Sequence, residues 1–453
     1  MNITIVGGGK FGYSVAEQLS DENHDVVIID SDDKRVERFT SSLDVMGVAG
    51  NGVSHIVQRE AGVSQADLFV AATQSDEVNL LSCLVAHKLG AKHTAARVRN
   101  PEYSEQLSFM QNDLGVSLAI NPDYEAASDI FRTLRFPAAA KVETFSRSRA
   151  ELVELKLLPG NPLIGKPLYS IAQRYPYEFL ICAVRRGEDV FIPDGGFVLQ
   201  ENDRVHITAH NAEIERFFKA LGVLRPQAKT VMIVGGGRVT YYLARRLISA
   251  GMSVKIIEHD AARAQALAER VPKALVIHGD GNDQDLLLEE GIESADAFVT
   301  LTGVDEENII LGMYAHSKNV SKIITKVNQT ALIPLLSDSI ADGIISPKEI
   351  TASQIIRYAR SIENSAGSSI QTLHRMVGGR IEAIEFRVHK DDRIIGVPLR
   401  ELKFKRDLLI ACILRGSRVI IPNGNSEVEF GDRVIIVSAN HRFDDLADIY
   451  ADD

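Results

Sequence analysis

Cysteine is scarce in this chain, with three in 453 residues, and Cys83, Cys182 and Cys412 each stand alone in apolar surroundings. That spacing excludes a disulfide framework and offers no thiolate metal site. No uninterrupted apolar stretch approaches the roughly 20 residues a membrane-spanning helix needs. A strand is predicted from residue 3, so no signal peptide is expected. Basic excess is also missing. Lys and Arg number 50 against 61 Asp and Glu, a net charge of -11, and an acidic chain is poorly suited to general binding of a phosphate backbone. A Walker-type Gly-Lys-Ser/Thr turn is absent. The 12 histidines form no evident catalytic set: His24, His55, His87 and His93 are scattered, and the His206-x-x-x-His210 spacing straddles a predicted strand end without the glutamate of a helical zinc motif. No metal site and no catalytic residue is therefore assigned. The 45% hydrophobic and 25% charged content is that of a soluble globular chain large enough for several cores.

What the chain does have, it has twice. Gly7-Gly8-Gly9-Lys10-Phe11-Gly12 returns 228 residues later as Gly235-Gly236-Gly237-Arg238-Val239-Thr240. Each copy follows a branched apolar run, Ile3–Val6 and Val231–Val234, of the kind that forms a buried parallel strand. Behind the glycines, Phe11, Val15 and Leu19 answer Val239, Leu243 and Leu247 at the spacing of an apolar helix face. Second strands are expected at Asp25–Ile29 and Ser253–Ile257, ending on Asp30 and Glu258. Further on, Gly50-Asn51-Gly52 matches Gly279-Asp280-Gly281. Thr73, Asp76, Glu77 and Asn79 match Thr302, Asp305, Glu306 and Asn308, and Arg97 matches Lys326. A chance glycine match would not carry so many other positions with it.

A second kind of repeat follows each copy. Asn161–Leu168 pairs with Arg393–Leu399, and each leads to a strand, a polar turn and a strand: Phe179–Val184 and Val190–Gly195 in one, Leu408–Leu414 and Val419–Gly424 in the other. These read as small β-rich modules that could pair by edges or faces. The fold class expected is α/β: two tandem Rossmann-like parallel-sheet domains, each followed by a small β-rich α+β domain. The boundaries are drawn at 1–135, 140–222, 228–365 and 370–453, with Gly222–Gln227 as the linker between halves and Phe136–Ala140 closing the first unit.

The glycines explain themselves as a dinucleotide turn. Gly7 permits the tight turn, Gly9 close approach of a pyrophosphate, and Gly12 close packing of helix on strand; the phosphate meets free amides at the helix start. Asp30, with Ser31 beside it, arrives 18 residues after Gly12, where an acid accepts the adenosine ribose hydroxyls and disfavours a 2′-phosphate, so NAD or NADH is expected over NADP. Asn51 and Asp280 fall after the third strands, near an adenine edge, and each is equally a turn former. Thr73 and Thr302 end the fourth strands at the crevice. Arg97 and Arg99, with Lys326 in copy two, could neutralise phosphates. The second copy differs: Thr240 stands for Gly12, Glu258 for Asp30 and Asn328 for Arg99. Its helix is expected to sit slightly further out, and Gly235, Gly237, Arg238, Val239, Glu258, Asp280, Thr302 and Lys326 are candidates for a weaker site.

Taken together, Gly7-x-Gly9-x-x-Gly12, Asp30, Asn51, Thr73-x-x-Asp76-Glu77-x-Asn79 and Ala96-Arg97-Val98-Arg99, duplicated with a β module after each copy, resemble the TrkA family. These are the regulatory subunits of bacterial Trk potassium-uptake systems, built on "regulator of conductance of potassium" (RCK) domains. The resemblance covers essentially the whole chain. It implies a non-enzymatic protein on the cytoplasmic face of the membrane, assembled as a ring, expected to be a tetramer, beneath a membrane-embedded potassium-transport subunit. It also implies NAD or NADH in the first cleft, ATP or ADP as regulatory ligands, and no nucleic acid. The family's contact region maps onto Gly7, Gly9, Lys10, Phe11, Gly12, Asp30 and the Thr73, Asp76, Asn79 loop, and its phosphate side onto Arg97 and Arg99. Two other classes remain open on the residues alone: a soluble NAD-dependent oxidoreductase, and a scaffold with degenerate nucleotide folds.

Overall fold

The computed structural model describes residues 1–103, 106, 113–135, 141–145, 150–223, 228–329, 332, 343–364, 370–376, 380–416, 418–439, 443 and 445–451. The expected linker residues 224–227, the closing segment 136–140 and the boundary at 365–369 lie outside the described residues.

The first nucleotide fold runs β1 (Asn2–Val6), α1 (Lys10–Ser20), β2 (Asp25–Asp30), α2 (Asp33–Ser42), β3 (Met46–Ala49), α3 (His55–Glu60), β4 (Leu68–Ala71), α4 (Asp76–Leu89), β5 (His93–Arg97), β6 (Leu118–Ile120) and α5 (Pro122–Arg135). Its strands form a parallel sheet in the order β3-β2-β1-β4-β5-β6. The order reverses between β1 and β4, and there a crevice opens at the carboxyl ends of the strands. The apolar runs seen in the sequence are the buried strands: Ile3, Ile5, Val6 and all of β4 are buried.

The first β module follows as β7 (Lys141–Phe145), β8 (Ala150–Lys156), α6 (Leu168–Arg174), β9 (Phe179–Arg186), β10 (Asp189–Phe191), β11 (Arg204–Ala209) and α7 (Asn211–Ala220), with the antiparallel order β10-β9-β11-β8-β7. The second nucleotide fold repeats the first: β12 (Thr230–Val234), α8 (Arg238–Ser249), β13 (Ser253–Glu258), α9 (Ala261–Arg270), β14 (Leu275–His278), α10 (Gln284–Glu289), β15 (Ala297–Thr300), α11 (Asp305–Ser317), β16 (Lys322–Lys326), β17 (Gly343–Ile345) and α12 (Pro347–Asn364), ordered β14-β13-β12-β15-β16-β17. The chain ends in β18 (Ile370–Met376), β19 (Ile381–Arg387), β20 (Leu408–Arg415), β21 (Arg418–Ile420) and β22 (Arg433–Ala439), ordered β18-β19-β22-β20-β21. The expected fold class holds, two parallel sheets each followed by a small antiparallel one.

Like folds with like. One compact unit holds residues 1–131 and 229–359, the two nucleotide folds; the other holds 132–228 and 360–453, the two β modules. Within the second unit, Leu152, Cys182 and Ala183 of the first module share one core with Ile381, Ala383, Ala411, Cys412, Ile435 and Val437 of the second. The modules therefore meet through sheet faces, and the two cysteines sit in that shared core because a thiol behaves there as a small apolar group. Each module also pins its hairpin with a repeated ion pair the sequence did not reveal. Arg186 Nε donates to Asp203 at 2.8 Å, and Arg415 Nε to Asp432 at 3.0 Å, with both aspartates buried. Each of these fork-like pairs raises its arginine's pKa, the hydrogen bond donated to the carboxylate being the main cause.

Burial pushes the thiols of Cys83, Cys182 and Cys412 up to about 12. A neutral buried thiol is a poor nucleophile. Titration with a disulfide reagent at pH 8 is expected to find no reactive thiol in the folded chain and all three after denaturation; prompt reaction of one in the native protein would contradict this burial.

Candidate functional site

The two crevices are built alike. Gly7 leaves β1 at φ +106°, and a Cβ there would lie 2.9 Å from Thr73 N, so the turn passes tightly beneath the exit of β4. Gly12 is more constrained, since its Cβ would lie 1.9 Å from Gly7 O. Gly9, by contrast, caps α1 without a side-chain hydrogen bond, and a Cβ on it would meet nothing within 4 Å. The first-turn amides of α1 thus face an open cradle, the setting in which a helix start receives an anion. Lys10 and Ser31 are exposed, and Phe11 is buried with the Arg97 guanidinium 5.4 Å over its ring.

Asp30 is buried and takes hydrogen bonds from Gly8 N at 2.5 Å and Asp32 N at 2.9 Å, with Arg35 at 3.7 Å. It fastens the glycine turn to the end of β2. A carboxylate has about four lone-pair positions, so two remain for ribose hydroxyls. Glu258 repeats the arrangement with less to spare: Gly236 N at 2.6 Å, Asp260 N at 2.8 Å, Arg263 at 3.1 Å and His259 at 3.2 Å.

Thr240 shows how the second copy tolerates a side chain. Its buried hydroxyl donates to Gly235 O, the carbonyl equivalent to the one that leaves no room beside Gly12. A Cβ and a hydrogen bond occupy the point where Gly12 packs bare in copy one. The phosphate turn survives: Gly235 has φ +101°, and Gly237 opens on clear space as Gly9 does. Arg238 is exposed and Val239 buried. Thr240→Val keeps the shape but strands the carbonyl, and it is expected to cost the second domain about 1 kcal/mol in a denaturant melt; an unchanged midpoint would mean the hydroxyl contributes nothing.

The Thr73–Asn79 loop is tied together by its own hydrogen bonds. Asn79, fully buried, accepts from Thr73 N at 2.8 Å and Thr73 Oγ1 at 2.7 Å, and donates to Thr73 O at 3.2 Å and Arg97 O at 2.9 Å. Its hydrogen-bonding capacity is spent on holding the β4 exit against the β5 exit. Asp76 accepts from Arg99 N at 2.9 Å and Asn100 N at 2.7 Å. Both devices recur: Asn308 accepts from Thr302 N at 2.8 Å and donates to Lys326 O at 3.1 Å, and Asp305 holds Asn328 N and Gln329 N. These residues position the crevice. Asn51 and Asp280 are likewise turn formers, accepting from Val53 N at 3.0 Å and Asn282 N at 2.9 Å.

Arg97 donates to Thr73 O, and burial foremost, then Arg99, pushes its pKa down to about 10 against the pull of Asp76 and Asp123. The buried Nε atoms of Arg97 and Arg99 have no acceptor among the described residues. Asp123, at the start of α5, was not singled out by the sequence. Burial raises its pKa, while Arg99, Arg238, Lys326 and Arg97 oppose that rise. Lys326 is lowered, chiefly by burial, and Asp123 and Asp305 act against that. Cations from both copies thus share Asp123, with Asp76 on the side of Arg97 and Asp305 on the side of Lys326. Only the doubled position of Arg97 and Lys326 hinted at this. His206 and His210 do not converge on a metal: His206 is buried in β11, His210 caps α7, and no metal-ligand group occurs among the described residues.

Comparison with known proteins matches the TrkA-N domain to residues 3–122 and 231–347 and the TrkA-C domain to residues 152–222 and 383–451. The Trk system potassium uptake protein TrkA homolog of Archaeoglobus fulgidus is 33% identical over 451 residues, covering 99% of this chain and 100% of that protein. The Trk system potassium uptake protein TrkA of Haemophilus influenzae is 32% identical over 443 residues, 96% of this chain and 95% of that protein. Among solved structures, the GsuK channel bound to NAD superposes with a TM-score of 0.63 at 18% identity, covering 97% of this chain and 77% of that one, a likeness of fold.

Proposed function

This chain belongs to the TrkA family of Trk-system potassium uptake proteins, and from that premise we propose that it is a nucleotide-sensing regulatory subunit, without catalytic activity, that gates a membrane-embedded potassium-transport subunit. The observation that carries the reading is the pair of buried guanidinium Nε atoms, on Arg97 and Arg99, left without acceptors among the described residues at the end of the first crevice. A buried donor of that kind is met by a water or an anion, and a phosphate at the crevice would supply the acceptor. The α1 cradle and the spare lone pairs of Asp30 fit the pyrophosphate and ribose of NAD or NADH, the ligand in the solved GsuK channel complex. ATP and ADP fit the same cradle and differ by one phosphate at the arginines.

The first cleft is the stronger sensor in this reading, with Gly7, Gly9, Lys10, Phe11, Gly12, Asp30, Ser31, Arg97 and Arg99 lining it and Thr73, Asp76 and Asn79 setting its shape. Asn51 borders it. The second cleft, at Gly235, Gly237, Arg238, Val239, Glu258, Asp280, Thr302 and Lys326, is weaker because Glu258 is more crowded and Asn328 lacks the charge of Arg99. We assign these clefts to domains 1–135 and 228–365, with regulatory modules at 140–222 and 370–453.

A nucleotide moves such a protein only to the extent that it binds two arrangements unequally. The cluster shared by Arg97, Arg99, Arg238 and Lys326 gives it that opportunity, since a phosphate there touches charge from both folds. Exposed Met46 and Leu81 in copy one, and Leu275 and Ile310 at the matching places in copy two, supply apolar faces for association of copies. A tetrameric ring on the inner face of the membrane suits them. No helix among the described residues is long and apolar enough to cross a membrane, so the potassium pathway belongs to the partner.

Calorimetric titration of NADH and ATP into the chain and into Asp30→Ala tests this. Saturable binding weakened at least about tenfold by the substitution is expected. No binding would support a degenerate scaffold, and substrate-dependent oxidation of NADH would support an oxidoreductase; either result overturns the reading.

A further inference from the structure

A pocket of about 780 Å³ lies between the two nucleotide folds, away from both glycine turns. Its walls come from α5 (Asn121, Tyr124, Glu125, Phe131) and from α8 (Tyr242, Arg245, Arg246, Ser249). The lining contains no residue of either glycine turn. Arg246 lies eight residues beyond Arg238, about 12 Å along the helix axis, so the pocket is separate from the phosphate end of the second cleft.

Its chemistry is unusual for so acidic a chain. The half-buried Arg246 lies 4.6 Å over the Tyr124 ring and donates to the Tyr124 hydroxyl, and it has no carboxylate partner among the described residues. Tyr124 packs edge-on against Tyr242 at 5.5 Å, and the Tyr242 hydroxyl is held by Asn121 Nδ2 at 2.9 Å. Arg245 is braced by the Tyr241 hydroxyl at 2.8 Å. Two guanidinium groups therefore stand beside aromatic rings, Arg246 half-buried and Arg245 exposed, with Glu125 as the lining's one carboxylate. The volume lies in the range of small-molecule sites and is far larger than a phosphate ion needs. Aromatic rings offer stacking to a flat heterocycle, and preset guanidinium forks suit phosphate oxygens.

We propose that this pocket is a third nucleotide site, which takes a purine mononucleotide with its base against Tyr124 and its phosphate on Arg245 and Arg246. A ligand there is held by both nucleotide folds and stabilises the arrangement in which α5 rests on α8. Its occupancy thus couples to any ligand that shifts that arrangement.

The chain contains no tryptophan, so Tyr124→Trp installs a sole fluorescent reporter in the wall. The test titrates AMP, adenosine and inorganic phosphate into the full chain bearing this substitution, saturated with NAD⁺, with NAD⁺ binding measured first in the same sample so that a failure of the clefts is seen separately. Saturable quenching by AMP is expected, with adenosine at least about tenfold weaker. Arg246→Gln should weaken AMP about tenfold and leave NAD⁺ affinity unchanged, since one charge-assisted hydrogen bond is worth about that factor. Equilibrium dialysis of labelled AMP against the unsubstituted, NAD⁺-saturated chain gives the same answer without a substitution, one site per chain. Absence of AMP binding under NAD⁺ saturation, or equal binding of AMP and adenosine, would overturn the proposal. Competition by inorganic phosphate as strong as by AMP would do the same, because the pocket would then recognise the anion alone.

Discussion

Gly12→Ala is expected to abolish nucleotide binding in the first cleft and to cost the first nucleotide fold about 3 kcal/mol, the upper end of what overpacking a tight site usually costs. The added methyl would lie 1.9 Å from Gly7 O. That atom belongs to the backbone of the turn, whose own φ of +106° and whose packing under Thr73 N leave little freedom to yield. The helix must therefore back away, carrying with it the amides of Lys10 and Phe11 that form the cradle. Circular dichroism in a urea series gives the stability, and calorimetry with NADH gives the binding. The control is built into the chain: Thr240→Gly at the equivalent position removes a hydrogen bond to Gly235 O and creates no clash, so it should lower stability without displacing the helix start of the second cleft. Undiminished NADH binding by Gly12→Ala would show that the turn is not the phosphate site.

Asn79→Ala is expected to cost about 4 kcal/mol, more than an average buried polar deletion. Four hydrogen bonds vanish together, and Thr73 N and Arg97 O lose this partner in a partly or fully buried setting, while Thr73 O keeps only Arg97. Each stranded group costs about 1–3 kcal/mol. Because Arg97 also donates to Thr73 O, loss of the amide loosens the strand exits that position the Arg97 guanidinium. Hydrogen exchange at the Thr73 amide should accelerate strongly, and nucleotide affinity should fall with it. Asn308→Ala should act in the same way on the second fold, through Thr302 and Lys326. A stability loss under 1 kcal/mol in both variants would mean that the loop is held by something else.

The nucleotide folds were legible because their evidence is local. A parallel strand buried on both faces is a run of branched apolar residues, and the tight turn after it demands glycine; both features survive in each copy and can be read without any knowledge of the fold. The roles of Asp76 and Asn79 were harder to read. Polar residues at a crevice look like ligand contacts, and the sequence cannot say that Asn79 turns inward to the backbone. One signal did point that way. The Thr-x-x-Asp-Glu-x-Asn pattern is kept in the second copy although Thr240 and Asn328 replace Gly12 and Arg99 there, as expected of residues whose hydrogen bonds hold the fold.

Long-range pairing was out of reach. Nothing in the order nucleotide fold, β module, nucleotide fold, β module says that the two β modules will share a core through Cys182 and Cys412, or that Asp123 will sit among cations from both copies. Those contacts join surfaces more than a hundred residues apart, set by shape complementarity that no periodicity encodes. The face-to-face option for the β modules could be named in advance, but choosing it required the structure.

The central claim is that nucleotide in the first cleft controls potassium movement through a membrane partner. Its most direct test is potassium flux into proteoliposomes that carry the membrane-embedded Trk subunit together with this chain, compared in ATP and in ADP, for the unsubstituted protein and for Arg97→Ala. The account predicts that flux differs between the two nucleotides with the unsubstituted chain and that the difference collapses with Arg97→Ala while the subunits remain associated. A flux that responds to ATP and ADP equally in both proteins, or a difference that Arg97→Ala leaves intact, would contradict it.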